Sequence, residues 1–218
     1  MDRIVVIGSG GHAKVVIDSL EQSKQYTIIG LIDDNKTPGT HVYGYEVLGG
    51  LNYIQDHRSQ IDGGIIAIGD NCVRSSIAAR IMNIQPQFRF ITSVHPSASI
   101  ARGVTIGEGT VIMAGAVINS DTHIGKHCIL NTKSSVDHDS SVGDFVSLAP
   151  NATTGGQVSI GRYSVLSLGA SVIHGITIGE HSVIGAGSTV LSSIDSYVVA
   201  YGTPTRVVRT RERGERYL

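Results

Sequence analysis

The sequence predicts a small α/β half-domain followed by a parallel β-helix of hexapeptide repeats. Three observations in its 218 residues predict it. Short apolar runs alternate with helix-patterned segments up to residue 93. From Val94 onward a large aliphatic residue recurs at every sixth position. The composition agrees, because 27 glycines, no tryptophan and 5% aromatic residues suit thin repeated layers better than a bulky globule.

The first 93 residues read as alternating strands and helices. "RIVVIG" is a short apolar run ending in glycine, the pattern of a buried parallel strand. In "GHAKVVIDSLEQ", Ala13, Val16, Ile17 and Leu20 share one helical face. "YTIIGLIDD" is a second strand and "GGIIAIGDN" a third, followed by a helix over 72–83. "FRFITSV" reads as a fourth strand leading into the repeat. This order argues for a small parallel sheet covered by helices. The boundary is set at 93/94, next to His95-Pro96.

The repeat occupies 94–200. Its series runs from Val94, Ile100 and Ile106 to Ile184 and Val190, with sixteen of seventeen members aliphatic and Thr154 the exception. A period of six fits neither a helix nor a hairpin. It fits short strands joined by corners, each strand pointing one large side chain inward. A second period is 18: Ile106-Gly107, Ile124-Gly125, Val142-Gly143, Ile160-Gly161 and Ile178-Gly179. One coil is therefore three hexads with three flat faces, and one corner carries glycine each time. Glycine serves there either a positive φ or a close backbone approach. The stack forms a prism roughly 25 Å long at ~4.8 Å per strand. Periodicity alone gives no hand for the coil. Residues 201–218 form a separate C-terminal segment.

Composition also excludes functions. The formal net charge is −1, so no global basic field exists for nucleic acid or an anionic membrane. The tail "RVVRTRERGERYL" mixes both signs and reads as a solvated end. Cys72 and Cys128 match no zinc spacing and fit a reducing compartment. "MDRIVVIG" lacks a basic start followed by a long apolar stretch, and no run of about 18 apolar residues exists. The expectation is a cytoplasmic protein without membrane partners.

Two places carry chemistry. The first is "GSGGHA", Gly8 to Ala13, which satisfies G-x-G-x-x-A between a strand and a helix, with Asp33 and Asp34 ending the next strand. This Rossmann-like fingerprint puts backbone N–H groups at a helix N-terminus facing phosphate, and an Asp within reach of a ribose hydroxyl. Only one such half is present, which suits a nucleoside diphosphate better than a dinucleotide. Ligands gather at the carboxyl ends of such strands, which adds Gly69, Asp70 and Asn71. A tight turn that needs glycine is the plainer alternative.

The second place is "TKSSVDHDSSVGDF", where His138 stands between Asp137 and Asp139. A neighbouring carboxylate fixes an imidazole's tautomer and raises its basicity, and a neutral imidazole suits a general base near pH 7. One coil on, at a step of 18, lies Gly156 in "TTGG", and one coil further lies His174. That column offers bare backbone to a ligand. A solvated surface histidine is the alternative. His123, His127 and His138 show no coherent metal spacing, so no metal is expected.

Taken together, "GSGGHAK", "LIDD", "AIGDN", the hexad array and "VDHDSSVGDF" resemble the sugar O-/N-acyltransferases, which include sialic acid O-acetyltransferases and nucleotide-amino-sugar N-acetyltransferases. The resemblance implies a left-handed β-helix, a homotrimer, acetyl-CoA as co-substrate and active sites between neighbouring prisms. It implies His138 as catalytic base with Asp139 supporting it. It places Gly10, Gly11 and His12 in the nucleotide-sugar loop, with Asp33 and Asp34 near the base. Gly156 lies beside the thioester, and Ser147, Leu168 and Ala186 join it along the coenzyme. "YGTPTRVVR", with Pro204 and Arg206, resembles the segment near the coenzyme A tail, Thr205 standing where alanine is usual. The expected activity is acetyl transfer to the amine of a nucleotide-linked amino sugar. Sugar O-acetylation, a non-catalytic nucleotide-sugar scaffold and a zinc-dependent hydratase are the alternatives.

Overall fold

The computed structural model describes residues 1–216. The N-terminal unit holds β1 (Asp2–Ile7), α1 (Gly11–Ser23), β2 (Tyr26–Ile32), β3 (His41–Val42), β4 (Tyr45–Gly49), α2 (Asn52–Asp56), β5 (Gly63–Ile66) and α3 (Asn71–Ile84). Its sheet has the order β3-β4-β2-β1-β5. β4, β2, β1 and β5 run parallel, and β3 closes an antiparallel hairpin on β4. That hairpin has no counterpart in the sequence reading. Its turn, Tyr43-Gly44, takes positive φ at both residues.

The expected strand "FRFITSV" does not form as one strand. Phe90 makes a single bridge to Gly64, and Ser93–Val94 belongs to the β-helix instead. The chain must leave the first sheet here. Phe88 and Phe90 bury their rings, while the Ser93 N–H already donates to the Thr110 carbonyl at 3.0 Å.

From Ser93 the chain winds as a left-handed parallel β-helix. Face one stacks Ser93–Val94, Val111–Ile112, Ile129–Leu130, Ser147–Leu148, Val165–Leu166 and Val183–Ile184, extended by the hairpin Val198–Gly202 and Thr205–Thr210. Face two stacks Ser99–Ile100, Val117–Ile118, Ser135–Val136, Thr153–Thr154, Ser171–Val172 and Thr189–Val190. Face three runs from Thr105–Ile106 through His123–Ile124 and Ser141–Val142 to Thr177–Ile178. The aliphatic series fills the interior, where Ile112, Leu130, Val136, Leu148 and Ile184 are wholly buried. Only the first coil departs, with Ile100 39% exposed at the open end.

The two explanations for corner glycine separate cleanly. Gly107, Gly125, Gly143, Gly161 and Gly179 do not take positive φ. They permit close approach: a Cβ on Gly143 would lie 2.7 Å from the Arg162 nitrogen of the next coil. Positive φ falls on a different register, every sixth residue from Gly103 to Gly187, with values from 52° to 80°. Nine of those fifteen positions are not glycine, among them Asp139 and Phe145. A left-handed residue costs about 1–2 kcal/mol. Backbone bonds to the preceding coil offset it, as when the Asp139 N–H donates to the Ser120 carbonyl at 3.0 Å.

One edge, between faces three and one, carries a stack of rings. His127, Phe145, Tyr163, His181 and Tyr197 follow one another with centroids 4.6 to 5.1 Å apart. Phe90 meets His127 edge-on at the lower end. The N-terminal unit packs on face one and this edge. Ala13, Val16, Ile17 and Leu20 of α1 share a core with Val111 and Met113, and the Ser75 hydroxyl of α3 lies 2.9 Å from the Tyr163 hydroxyl.

Alanine at Gly143 should cost about 1–3 kcal/mol, as overpacking does. Alanine at Gly69, where a Cβ meets nothing within 4 Å, should change stability by less than about 0.5 kcal/mol. Urea midpoints of the two variants check this. Equal midpoints would contradict the close-approach account of the corner.

Candidate active site

The carboxyl ends of β1, β2 and β5 open into a cleft of about 610 Å³, lined by Gly8 to His12, Asp33 to Asn35, Ala67 to Gly69 and, from α3, Val73, Ser76, Ile77 and Arg80. The three loop glycines divide the work. Gly8 has φ +105°, and a Cβ there would press on Ile68 and Ala67. Gly10 and Gly11 face open space and leave the backbone bare. Gly10 is the N-cap of α1 and supplies no side-chain cap. The first N–H groups of α1 are thus uncovered by a cap, a geometry that suits an anion.

The acidic wall is fixed. Asp33 accepts the Ser9 hydroxyl and, at 2.9 Å, the Asn35 N–H. Asp34 accepts the Leu51 N–H at 2.9 Å and pairs with Arg80 at 2.9 Å. His12 lies at the inner side. Burial, then the nearby Arg74 charge, lowers its pKa to about 4. Among the described residues its Nε2 has no hydrogen-bond partner. The cleft therefore gathers Gly10, Gly11, His12, Asp33, Asp34 and Gly69. It does not include Asn71, whose side chain turns to the prism and donates to the Tyr163 carbonyl at 2.7 Å.

His138 stands elsewhere, on the edge between faces two and three. Its Nδ1 lies 2.7 Å from Asp139 Oδ2, so Nδ1–H donates and Nε2 keeps a lone pair. The Asp139 hydrogen bond, then the Asp137 charge, raises the His138 pKa above its ordinary value. Asp137 is held in turn. Its Oδ1 accepts the His138 N–H at 2.9 Å and the Asn119 amide at 2.7 Å. The Asp137 N–H donates to the Thr154 hydroxyl at 3.3 Å, which gives the one break in the aliphatic series a task at this edge.

Gly156 lies under the imidazole. A Cβ there would sit 2.6 Å from His138 Nε2, so the bare backbone makes room for the ring itself. Among the described residues the Gly156 N–H makes no hydrogen bond, while its carbonyl accepts from Gly175 at 3.0 Å. A base with a free lone pair thus adjoins an unpaired backbone donor.

The residues expected along the coenzyme separate into two groups. Leu168, 57% exposed, and Ala186 lie on the edge between faces one and two. The hairpin turn with Pro204 joins them, since the Thr203 hydroxyl donates to the Gly187 carbonyl at 3.3 Å. Arg206 follows in that hairpin, exposed, one of its N–H groups donating to the Thr205 carbonyl at 3.0 Å. Ser147 does not join them. It is buried under the N-terminal unit, where its hydroxyl accepts from Arg74 at 3.0 Å.

His123, on face three, bonds Thr105 at 2.7 Å. His127 is inside the ring stack, its pKa lowered to about 4 by burial and then by Arg74. Among the described residues no three His, Cys, Asp or Glu side chains are grouped to hold a metal ion. Nor is any described helix long and apolar enough to cross a membrane.

Among the residues of these sites that escape the sequence reading are Arg74, Arg80 and Asn119. Asn119 was within reach, because it precedes Asp137 by one coil of 18. The arginines give no periodic signal.

Residues 3–81 match the family model described as the PglD N-terminal domain, and residues 103–138 match the bacterial transferase hexapeptide (six repeats). The chain is 39% identical over 117 residues to UDP-N-acetylbacillosamine N-acetyltransferase of Bacillus subtilis (strain 168), a match that covers 52% of this chain and 52% of that protein. A crystal structure of a single-residue mutant of perosamine N-acetyltransferase from Caulobacter crescentus, in complex with CoA and GDP-perosamine, is 36% identical with a TM-score of 0.90. That alignment covers 96% of this chain and 98% of the other. The acetyltransferase domain of PglB from Neisseria gonorrhoeae, in complex with acetyl coenzyme A, aligns with a TM-score of 0.88 at 28% identity, over 95% and 99% of the two chains.

Proton NMR titration should find His138 titrating above the ordinary 6.5 and His12 and His127 near 4. Asp139→Asn should lower the His138 value, because the largest cause of its rise is gone. The two buried imidazoles have folded pKa values below 6.5. Their contribution to stability is present above pH 6.5 and declines as pH falls towards 4. A His138 pKa at or below 6.5 would contradict the geometry of this edge.

Proposed function

We infer, from the premise that this chain belongs to the hexapeptide-repeat sugar acetyltransferases with a PglD-type N-terminal domain, that it transfers acetyl from acetyl-CoA to the amine of a nucleotide-linked amino sugar. The observation that carries this reading is the pairing of His138 Nε2, free to accept a proton, with the unpaired Gly156 N–H beneath it. One relative is named UDP-N-acetylbacillosamine N-acetyltransferase, and another is seen in complex with CoA and GDP-perosamine.

The chemistry follows from these groups. The acceptor nitrogen attacks the thioester carbonyl and a C–N bond forms. The carbonyl oxygen gains negative charge, and the Gly156 N–H is the donor that receives it in this reading. His138 Nε2 takes the proton that the nitrogen sheds, and Asp139 steadies the imidazolium through Nδ1. The C–S bond breaks as the tetrahedral centre collapses. The thiolate then takes the proton from His138, which returns the base to its starting form. Holding both substrates together supplies much of the rate.

The nucleotide diphosphate lies in the cleft, its phosphates at Gly10 and Gly11 and its nucleoside towards Asp33 and Asp34. The cleft and His138 lie on opposite sides of one prism, because the N-terminal unit covers face one while His138 stands between faces two and three. One chain therefore leaves the site incomplete. A homotrimer, with the cleft of one copy beside His138 of another, completes it. Exposed Leu168, Ala186 and Pro204 of a neighbouring edge then line the coenzyme. Faces two and three suit such contact, since their outward residues are small, as in Ser135, Ser141, Thr153 and Ser159. Acetyl-CoA and nucleotide sugars are pools of the cell interior, so the enzyme works in the cytoplasm.

His138→Ala should lower kcat about 10²–10⁴-fold with acceptor KM little changed. Gly10→Val should raise acceptor KM and leave acetyl-CoA KM unchanged, because its branched side chain occupies the space the phosphates need. Steady-state assays with GDP- and UDP-linked amino sugars check both. A His138→Ala enzyme that keeps more than about a third of wild-type kcat would remove His138 from the reaction. Absence of any turnover in the wild type would leave a nucleotide-sugar scaffold instead.

A further inference from the structure

Asp137 has no role in the chemistry above, yet its side chain is held in place at the His138 edge. Two donors, the His138 N–H and the Asn119 amide, converge on its Oδ1 at 2.9 and 2.7 Å. Its own N–H is tied to Thr154 at 3.3 Å. Among the described residues its Oδ2 accepts no hydrogen bond. The Asn119 amide, then the His138 N–H, lowers the Asp137 pKa, so the group stays anionic across the neutral range. Asp139 cannot take the same part, because it is committed to His138 Nδ1, on the ring edge away from Nε2.

A carboxylate fixed through one oxygen, with the other open beside a general base, distinguishes the two acceptor chemistries. A sugar hydroxyl is neutral near pH 7. A sugar amine is largely an ammonium ion, with three donors and a full charge. We propose that Asp137 is a substrate-binding residue that receives the acceptor's ammonium on its open Oδ2, and so selects an amine over a hydroxyl.

This rests on the acetyltransferase reading given above and deepens it. The proton count closes. The bound ammonium releases one proton to solvent, which this exposed edge permits. The amine then attacks and gives its second proton to His138. The products are the amide, the free thiol of the coenzyme and one proton in solution. Holding the ammonium also holds back its deprotonation, so the gain appears in binding rather than in kcat. Asn119 is a positioning residue here, because it touches Asp137 and not the acceptor.

Asp137→Asn keeps an acceptor for the His138 N–H and Asn119 but removes the charge. Isothermal calorimetry compares GDP-perosamine with its 4-hydroxyl counterpart, and a UDP-linked 4-amino sugar with its own. The wild type should bind the amine of the favoured pair about tenfold more tightly than the hydroxyl. In Asp137→Asn that preference should fall to within about twofold, with the hydroxyl compound bound as before. In kinetics the variant should raise acceptor KM and leave acetyl-CoA KM unchanged. Equal affinities in the wild type, or a preference that survives the substitution, would overturn the assignment of Asp137 alone. An equal loss for both compounds would make Asp137 merely structural and overturn it too. If neither pair binds the wild type, the acetyltransferase reading falls and Asp137 with it.

Discussion

Every column of the β-helix depends on closing a coil in a fixed count, eighteen residues up to Val190 and sixteen in the last coil, where Val183 pairs with Val199. Parallel strands pair residue with residue across that step, as Ser135 with Thr153 and Ser141 with Ser159. Each coil then repeats at the strand spacing of about 4.8 Å. The stacked rings from His127 to Tyr197 take their 4.6 to 5.1 Å separations from this repeat, not from ring attraction alone. The same repeat sets the distance between His138 and Gly156. A side chain in one coil and its absence in the next make a recess one coil deep, and His138 fills it.

A second constraint joins the two units. Arg74 is 1% exposed, and its guanidinium donates to groups of both units. It donates to the carbonyls of Ile68 and Gly69 at the cleft floor, to those of His127 and Phe145 on the prism, and to the Ser147 hydroxyl. A buried polar group left unsatisfied costs about 1–3 kcal/mol, so several at once hold the contact firmly. The loop that ends in Gly69 is thus fixed relative to the β-helix. The same buried charge helps keep His12 neutral beside the cleft.

How much of this is legible in the sequence depends on what repeats. The hexad series, the three faces and the Gly156 recess follow from counting by six and eighteen. The cleft loop is legible because glycine between strand and helix has few other uses. Positive φ at Asp139 and Phe145 is not legible, because backbone bonds between coils override the preference for glycine. Ser147 and Asn71 were expected at ligands, yet both are consumed by contacts between the units. Those contacts join residues 73 and 92 positions apart, with no period to announce them. Thr154 was legible as an anomaly but not as a partner of Asp137.

On the function proposed above, one chain holds halves of two different sites. The N-terminal unit is anchored by Arg74 and α1 to face one, and His138 lies across the prism from it. Mixing tests this most directly. His138→Ala and Gly10→Val proteins, each inactive at low acceptor concentration, are unfolded together, refolded as mixed oligomers and assayed. With sites shared between copies, random association leaves about a quarter of them with both an intact cleft and an intact base, and that fraction of wild-type activity should return. No activity beyond that of the two separate variants would contradict a shared site, and with it this account of the molecule.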